Sequence, residues 1–373
     1  MTSQVMNGNG KAFHDSDVGK PPEPNFAMTT LQTVLDFILF ISVSIGYILQ
    51  DLYYMALGYP EKDLKNDIAL VTGGGSGIGR LLATRLSKMG TKVVIWDINQ
   101  QGINETVDIV QSTGGYCKGY VVDISKKEDV YKAADQVRRD VGDVTLLINN
   151  AGVVSGRLLL DTPDHLIERS FNVNVMAHFW TTKAFLPQMI ENDCGHIVTI
   201  ASLAGHVGIS KLVDYCASKF AAVGFDEALR LELDVLGHQG VQTTCICPYF
   251  IGATGMFDDV NASRWVPILK AEDVADRIIK AIKTNEKVAV IPGYIKILLS
   301  LKWVFPWGCN SQFLRRLVPD AAPHQVAPVK CAPTPTNDST NYKINPNTDI
   351  SNGIGKSAAM LVKRTPSVGE RVL

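Results

Sequence analysis

Hydrophobic and polar positions alternate regularly between residues 60 and 293. Short apolar runs of strand length are separated by longer segments with the 3.6-residue periodicity of amphipathic helices. Strands that alternate with helices in this way predict βαβ units and a mostly parallel sheet covered on both faces. We therefore predict an α/β fold, a doubly wound parallel sheet in a single domain. The predicted strands span residues 68–72, 93–96, 120–122, 146–148, 196–200, 243–246 and 288–291.

An apolar segment precedes this alternation. Residues 37–49 carry no charge, and Asp36 and Asp51 lie on either side of them. This run is shorter than the roughly 20 residues that span a bilayer, but a segment that includes both aspartates is long enough if they lie near the interfaces. We predict that residues 28–59 form a hydrophobic membrane anchor, spanning or in-plane, and that residues 1–27 are a disordered extension. A buried core helix and a signal peptide are the alternatives.

A second apolar segment, residues 294–318, follows the last predicted strand and is interrupted by lysines, arginines and a proline. Trp303, Phe305 and Trp307 lie in its middle. Aromatic residues beside cations suit a membrane interface, and a helix packed on the sheet edge or on a partner subunit is the alternative. Residues 319–373 are rich in Pro, Asn, Ser, Thr and Lys, which predicts a disordered tail.

Composition narrows the classes of function. The chain of 373 residues has 36 Lys and Arg against 37 Asp and Glu, a net charge of -1, so we expect no nucleic-acid partner. Its seven cysteines are scattered and form no Cys-x-x-Cys pair, which favours reduced thiols and predicts no metal site. Hydrophobic residues make up 46% of the chain, and much of this apolarity lies in the two segments that flank the domain.

The first predicted strand runs directly into a glycine-rich turn that opens a helix. Glycines permit a tight turn and a close backbone approach, so that the helix N-terminus faces the pyrophosphate of a dinucleotide. Glycine clusters also build ordinary turns, but the position between strand and helix is the context that a Rossmann-type cofactor site requires. The predicted cofactor-binding residues in this turn are Gly73, Ser76, Gly77, Ile78 and Gly79.

Asp97 ends the second predicted strand, about 20 residues after the glycine turn. An acid at this place can accept hydrogen bonds from the adenosine ribose and repels a 2′-phosphate, which favours NAD over NADP. Neither Ser76 nor Ile98 supplies a cation that would attract that phosphate. A plain cap at the end of the strand is the alternative role for Asp97.

Tyr215 and Lys219 are four residues apart on a helical pattern and therefore share one helix face. A free tyrosine titrates near pH 10, and a neighbouring cation lowers that pKa by stabilising the phenolate. Ser202 follows the predicted strand 196–200, where a hydroxyl can reach the ligand crevice and polarise a carbonyl. Because a Tyr and a Lys at this spacing are common on helix surfaces, the pair alone is weak evidence for catalysis.

Taken together, these motifs resemble the short-chain dehydrogenase/reductase family over roughly residues 67–292. The resemblance implies that Tyr215 is the general acid and base, that Ser202 steadies the substrate oxygen, and that Lys219 binds the nicotinamide ribose and lowers the tyrosine pKa. It also implies that Asn174 holds a water in a proton relay. Further cofactor contacts implied by the family are Asp123, Asn150 and Thr254.

Longer strings, such as residues 149–154 and 218–225, resemble the membrane-associated branch that contains 17-beta-hydroxysteroid and epidermal retinol dehydrogenases. That resemblance implies the endoplasmic reticulum or lipid droplets as location, a cytosol-facing catalytic domain, and a homodimer formed through two long helices. Two positions depart from the family pattern: Tyr249 follows Pro248 where a Gly or Asn is usual, and Thr254 comes one place late.

The expected function is an NAD-dependent oxidoreductase acting on a hydroxyl of a lipophilic substrate, retinol or a 17β-hydroxysteroid. The apolar residues Phe250, Ile251, Met256, Phe257 and Trp265 either wall the substrate pocket or pack in the ordinary way. One alternative is a membrane or lipid-droplet surface protein with the same fold and little catalysis. Another is an NADPH-dependent carbonyl reductase, which Asp97 disfavours.

Overall fold

The computed structural model describes residues 26–252, 254–256, 263 and 265–318. The disordered extension and tail predicted for residues 1–27 and 319–373 lie outside this part of the chain, except for the first two residues of helix α1. The helices are α1 (Phe26–Leu57), α2 (Gly77–Lys88), α3 (Gln100–Ser112), α4 (Lys127–Asp140), α5 (Asp164–Phe171), α6 (Ala177–Glu191), α7 (Val213–Val235), α8 (Ala271–Lys283), α9 (Ile295–Ser300) and α10 (Trp307–Leu317). The strands are β1 (Ile68–Thr72), β2 (Lys92–Asp97), β3 (Cys117–Val121), β4 (Leu146–Asn149), β5 (Gly195–Ile200), β6 (Val241–Pro248) and β7 (Val288–Ile291).

Across the described residues these strands form one seven-stranded sheet in the order β3-β2-β1-β4-β5-β6-β7. Every pairing is parallel, and β1 pairs with both β2 and β4. The order therefore reverses on either side of β1, and open α/β sheets bind ligands at the carboxyl ends of the strands at such a switch point. The predicted doubly wound sheet is confirmed, and it places the site at the carboxyl ends of β1 and β4.

Helices cover both faces of the sheet, so the strands other than the edge strand β3 are largely buried on both sides. Leu70 and Val71 are both fully buried, in different clusters, because successive side chains of a strand point to opposite faces. One cluster includes α2, α3 and α8, and the other face is covered by α4, α6 and α7. This double coverage explains why the strands appear in the sequence as continuous apolar runs.

Helix α1 stands apart from this core. Residues 30–57 are long and apolar enough to cross a membrane, by length and composition, and none of that window is buried. A buried core helix, one of the alternatives for this segment, is therefore wrong. After α1 the chain joins the domain at the amino-terminal edge of the sheet, where Lys62 donates its backbone N–H to the Lys283 carbonyl and its Nζ lies 2.7 Å from His196 Nδ1.

One side of the segment after β7 is packed on the sheet, and its predicted contact with a membrane stays a prediction. Ile295 and Leu317 are fully buried in the cluster that contains Leu212 and Tyr215. Aromatic side chains between them, Trp303 among them, are exposed. Helices α9 and α10 are thus packed on the sheet through one side and leave an apolar surface on the other.

Candidate active site

The turn between β1 and α2 has a backbone geometry that glycine supplies. Gly73 and Gly77 have φ angles of 65° and 50°, in the left-handed region that residues with a Cβ rarely adopt. At Gly79 the restriction is steric, because an added Cβ would lie 2.1 Å from the carbonyl oxygen of Gly73. Ser76 is the N-cap of α2 and Ile78 lies in its first turn, and both line the cavity. The unpaired N–H groups of a helix start are therefore available to an anion here.

Asp97 lies at the carboxyl end of β2 and faces the glycine turn. Its Oδ2 accepts the N–H of Gly75 at 2.9 Å, and its Oδ1 accepts the N–H of Asn99 at 3.0 Å. The carboxylate thus caps local backbone and also lines the cavity. Because each carboxylate oxygen can accept more than one hydrogen bond, this capping is compatible with the predicted contact to a ribose hydroxyl.

Asn150 and Asp123 line the same cavity. Asn150 donates from Nδ2 to the Thr72 carbonyl at 2.9 Å and so ties the end of β4 to the end of β1. Burial opposes ionisation of Asp123, but hydrogen bonds from Ser125 and Lys126 outweigh it and lower the pKa of its carboxyl. Asp123 is therefore an anion at neutral pH, and Asn150 acts at least as a brace for the glycine turn.

Thr254 is the position where the sequence departs from the family spacing. The structure places it on the cavity, and an added Cβ at Gly77 would lie 3.7 Å from its Cβ. Its Oγ1 donates to the carbonyl of Ile251 at 3.2 Å. The late threonine is therefore next to the glycine turn, and its contact with a nicotinamide amide stays a prediction.

Ser202, Tyr215 and Lys219 come together on the opposite wall. Ser202 follows β5, and its Oγ accepts the N–H of Ala204 at 3.1 Å, which leaves the hydroxyl hydrogen free to bond to Tyr215. Tyr215 and Lys219 lie on one face of α7, and Lys219 Nζ is 5.7 Å from the centre of the tyrosine ring. Nζ donates to the carbonyl of Ile200 at 2.8 Å. These three side chains thus form one cluster, in which Tyr215 and Lys219 are buried and Ser202 is partly exposed.

The electrostatics of this cluster differ from the sequence expectation. Burial raises the pKa of the Tyr215 hydroxyl well above its usual range, and the hydrogen bond from Ser202 only partly opposes this effect. Burial also lowers the pKa of Lys219 to about 8. Lys219 Nζ bonds to the Ile200 carbonyl, and the predicted lowering of the tyrosine pKa by Lys219 stays a prediction.

Asn174 lies in a π-helical turn, Asn172–Met176, between α5 and α6. Its Oδ1 accepts the N–H of Val153 at 2.8 Å, and its Nδ2 donates to the Val153 carbonyl at 2.9 Å and to Ser218 Oγ at 3.0 Å. The amide therefore holds the loop after β4 against α7. π turns displace backbone hydrogen bonds and occur often at functional sites. The water relay assigned to Asn174 stays a prediction.

Sequence reasoning missed a buried acid beside Tyr215, the predicted catalytic tyrosine. Asp214 accepts hydrogen bonds from Ser155 Oγ and Ser170 Oγ, both at 2.7 Å. It therefore ties the start of α7 to α5 and to the loop after β4, and so fixes the position of Tyr215. An aspartate in a first helical turn looks like an ordinary favourable interaction with the helix dipole, so the sequence offered no specific signal.

The whole cavity has a volume of about 540 Å³, and its outer part is mostly apolar. Of the loop predicted to form its wall, Phe250, Ile251 and Met256 line it, whereas Phe257 lies outside the described residues. Trp265 instead packs against Phe313, with ring centres 5.7 Å apart. Lining residues that the sequence did not single out include Val153, Arg169, Val173, Leu203, Ile209 and Leu212.

A dinucleotide fits these residues. The glycines let a cofactor approach the backbone of the turn closely, and the N-terminus of α2 is available for its pyrophosphate. The carboxylate of Asp97 lies where a ribose would bind. Within the described part of the chain, no three His, Cys, Asp or Glu side chains cluster as metal ligands would.

Comparison with known proteins decides the family. Residues 67–265 match the family model described as short chain dehydrogenase. The chain belongs to the short-chain dehydrogenase family. It is therefore an oxidoreductase that acts on CH–OH groups.

Two curated relatives and one solved structure give the closer context. The chain is 45% identical to estradiol 17-beta-dehydrogenase 11 of Rattus norvegicus, over 77% of this chain and 96% of that protein. It is 43% identical to epidermal retinol dehydrogenase 2 of Homo sapiens, over 74% and 90%. A short chain dehydrogenase/reductase from Burkholderia phymatum, solved in complex with NAD, is 26% identical with a TM-score of 0.61, covering 72% of this chain and 99% of that one.

Proposed function

We propose that the protein is an NAD-dependent oxidoreductase that transfers a hydride between nicotinamide and the hydroxyl or carbonyl of a lipophilic substrate. The observation that carries the proposal is that Ser202, Tyr215 and Lys219 line the same cavity as the glycine turn and Asp97. When bound, NAD supplies the hydride acceptor or donor. The protein then has to orient the substrate oxygen and move one proton.

Tyr215 takes the proton from the substrate hydroxyl in the oxidative direction and returns it in the reductive direction. Ser202 holds the substrate oxygen beside the tyrosine. Because burial raises the pKa of Tyr215, the phenolate needs a nearby positive charge, and Lys219, only 3% exposed, is the cation at hand. Lys219 also binds the nicotinamide ribose, and Asn174 holds the water that passes the proton outward.

The substrate is lipophilic because the outer cavity offers apolar side chains such as Ile209, Leu212 and Phe250. Retinol and its aldehyde, or a 17β-hydroxysteroid and its ketone, have one oxygen at the end of a large apolar body, which suits such a cavity. The names of the two relatives, a retinol dehydrogenase and an estradiol dehydrogenase, support the same two classes.

NAD is the cofactor that Asp97 favours, since a second negative charge beside this carboxylate would be repelled. The structural relative from Burkholderia phymatum was solved with NAD. Ile98, the next residue, is exposed and uncharged, so it supplies no cation that would attract a 2′-phosphate. An NADPH-dependent carbonyl reductase is accordingly the weaker proposal.

We place the enzyme on the endoplasmic reticulum membrane or lipid droplets, with the catalytic domain toward the cytosol. Helix α1 supports the membrane attachment by its length and apolar surface. A homodimer through α6 and α7 is supported by exposed apolar side chains on both helices, Phe179 and Phe220.

The test is turnover by the full chain in a membrane fraction, with NAD and a panel of retinoids and hydroxysteroids. We expect product from at least one lipophilic alcohol, and a loss of kcat on the order of 10²- to 10⁴-fold in Tyr215→Phe with NAD affinity preserved. Turnover that Tyr215→Phe leaves intact would contradict the role of the tyrosine. The absence of product from every lipid alcohol would favour the alternative, a membrane surface protein with little catalysis.

A further inference from the structure

The segment after β7 presents aromatic and aliphatic side chains to solvent. Trp303 is 84% exposed, Val304 74% and Trp307 72%. Together with Ile297 and Phe305 they form what we call the C-terminal apolar surface. Exposed apolar groups that lie next to each other in this way mark an interaction site more often than isolated ones do.

The opposite side of the same segment is firmly packed. Ile295 and Leu317 are fully buried, and Phe313 and Leu314 pack against the same cluster. That cluster includes Leu212 and Tyr215, which line the cavity. The C-terminal apolar surface is therefore the outer side of helices that support the outer end of the cavity, and its exposure is not needed for folding.

The charges of this segment indicate which kind of partner covers the C-terminal apolar surface. Residues 294–318 contain Lys296, Lys302, Arg315 and Arg316 and no acidic residue. Lys302 donates from Nζ to the His206 carbonyl at 2.8 Å, whereas Lys296 and the two arginines are exposed. Tryptophans beside cations suit the interface of a bilayer, where the rings sit at headgroup level and the cations attract anionic lipid.

We propose that the C-terminal apolar surface rests on a phospholipid membrane and holds the outer end of the cavity against the bilayer. The membrane in question is the one that α1 enters. The chain joins the domain near Lys62, at the amino-terminal edge of the sheet, whereas the cavity lies at the carboxyl edge. Attachment through α1 alone therefore leaves the orientation of the cavity open, and a second contact defines it. A lipophilic substrate then passes from the bilayer to Tyr215 without crossing water.

Two hydrogen bonds hold the last turn of α10, and one of them comes from a residue that lines the cavity. Tyr249 Oη donates to the Leu317 carbonyl at 2.7 Å, and Ser263 Oγ donates to the Arg316 carbonyl at 2.7 Å. Tyr249 itself lines the cavity and is the residue that departs from the family pattern after Pro248. The last turn of α10 is thus tied to the strand exit that forms the cavity wall, so the position of α10 on a membrane bears on substrate binding.

Tryptophan fluorescence of the full chain in phospholipid vesicles tests the contact. Helix α1 contains no tryptophan, so its insertion gives no signal. We expect lipid brominated in the upper acyl chain to quench the wild type, and most of that quenching to be absent in the double variant Trp303→Phe, Trp307→Phe. Trp265→Phe, a half-exposed tryptophan outside the segment, is the control and should keep it. Equal quenching in all three proteins, or none in the wild type, would overturn the proposal.

Enzyme kinetics test the effect of the membrane contact on substrate binding. In Trp303→Glu, Trp307→Glu we expect the KM for a vesicle-borne alcohol to rise on the order of tenfold, with NAD affinity unchanged. Ile109→Glu, Tyr116→Glu places the same charges on exposed apolar positions at the other side of the sheet and should leave KM unchanged. A fall in oligomeric mass without any change in lipid quenching would instead assign the surface to a second copy of the chain. The passage of substrate from the bilayer to the cavity rests on the proposed function. Fluorescence quenching needs no turnover, so the membrane contact and the proposed function can fail separately.

Discussion

The cofactor half of the cavity is formed by backbone, whereas the substrate half is formed by side chains from distant parts of the chain. Gly73, Gly77 and Gly79 build the first half within one turn, through φ angles and a close approach. The second half combines Val153, Leu212 and Phe250, which follow three different strands. The first half therefore tolerates almost no added atoms, while the second can exchange one apolar side chain for another of similar volume.

The largest expected effect breaks the cofactor half. In Gly79→Ala the added Cβ would lie 2.1 Å from the Gly73 carbonyl oxygen and 2.8 Å from Asn150 Nδ2, so the turn has to move. We expect NAD affinity to fall at least about 100-fold, because the pyrophosphate contacts are backbone groups. Calorimetric titration with NAD measures this. Gly224→Ala, where a Cβ meets nothing within 4 Å, is the matched control and should bind NAD like the wild type.

A smaller effect is expected at Asp97, which controls the choice of cofactor. Asp97→Asn keeps the side-chain shape and removes the charge, so the repulsion of a 2′-phosphate disappears. We expect the ratio of kcat/KM for NAD over NADP to fall on the order of 10- to 100-fold. If the ratio does not move, the aspartate serves only as a cap for Gly75 and Asn99, with which it is hydrogen-bonded.

The substrate half responds to Tyr249, whose hydroxyl bonds to α10. Tyr249→Phe removes the 2.7 Å bond to the Leu317 carbonyl, a contribution of about 0.5–1.5 kcal/mol. We expect the KM for the lipophilic alcohol to rise roughly two- to tenfold, and the affinity for NAD to change less. Tyr294→Phe serves as the control, because the Tyr294 hydroxyl makes only a long bond of 3.4 Å to the Trp265 carbonyl. Equal effects of the two variants would argue against a link through α10.

The last effect concerns the stability of the fold and not activity, and it centres on His178, a buried histidine of α6 near the charge of Lys219. Burial, with a further contribution from the charge of Lys219, lowers the pKa of His178 to about 3. The unfolded chain therefore takes up a proton first as the pH falls below about 6.5, and the free energy of unfolding decreases by up to about 1.4 kcal/mol per pH unit. Thermal unfolding at pH 7 and pH 5 should show a smaller acid-induced loss in His178→Gln. His165→Gln, an exposed histidine, should behave like the wild type.

The cofactor half of the cavity could be predicted from the sequence more completely than the substrate half. The sheet and the glycine turn were predicted because their signals, apolar runs and glycines between a strand and a helix, are local. The family resemblance placed Ser202, Tyr215 and Lys219, and the structure brings them together. Leu203, Ile209 and Leu212 were missed, because a buried apolar residue in a loop looks the same in sequence whether it packs in the core or lines a cavity.

The pKa of Tyr215 is the second feature that the sequence did not predict. The four-residue spacing suggested that Lys219 would lower the pKa of Tyr215, whereas in the structure burial raises that pKa and the hydrogen bond with Ser202 only partly opposes it. Burial depends on long-range packing, which the spacing of two residues on a helix does not reveal. Similarly, the sequence offered two alternatives for residues 294–318. In the structure one side of these helices is packed in the core and the other side is exposed, and a membrane contact of the exposed side stays a prediction.

Transfer of deuterium is the most direct test of hydride transfer at this cavity. The full chain in vesicles is given NAD and either retinol or a 17β-hydroxysteroid that carries deuterium on the carbinol carbon, and the reduced cofactor is analysed by mass spectrometry. We predict that one deuterium per turnover appears in the nicotinamide ring, and that Tyr215→Phe binds NAD but forms almost none of this product. NAD that binds normally yet never acquires deuterium from any lipophilic alcohol would contradict the proposed reaction.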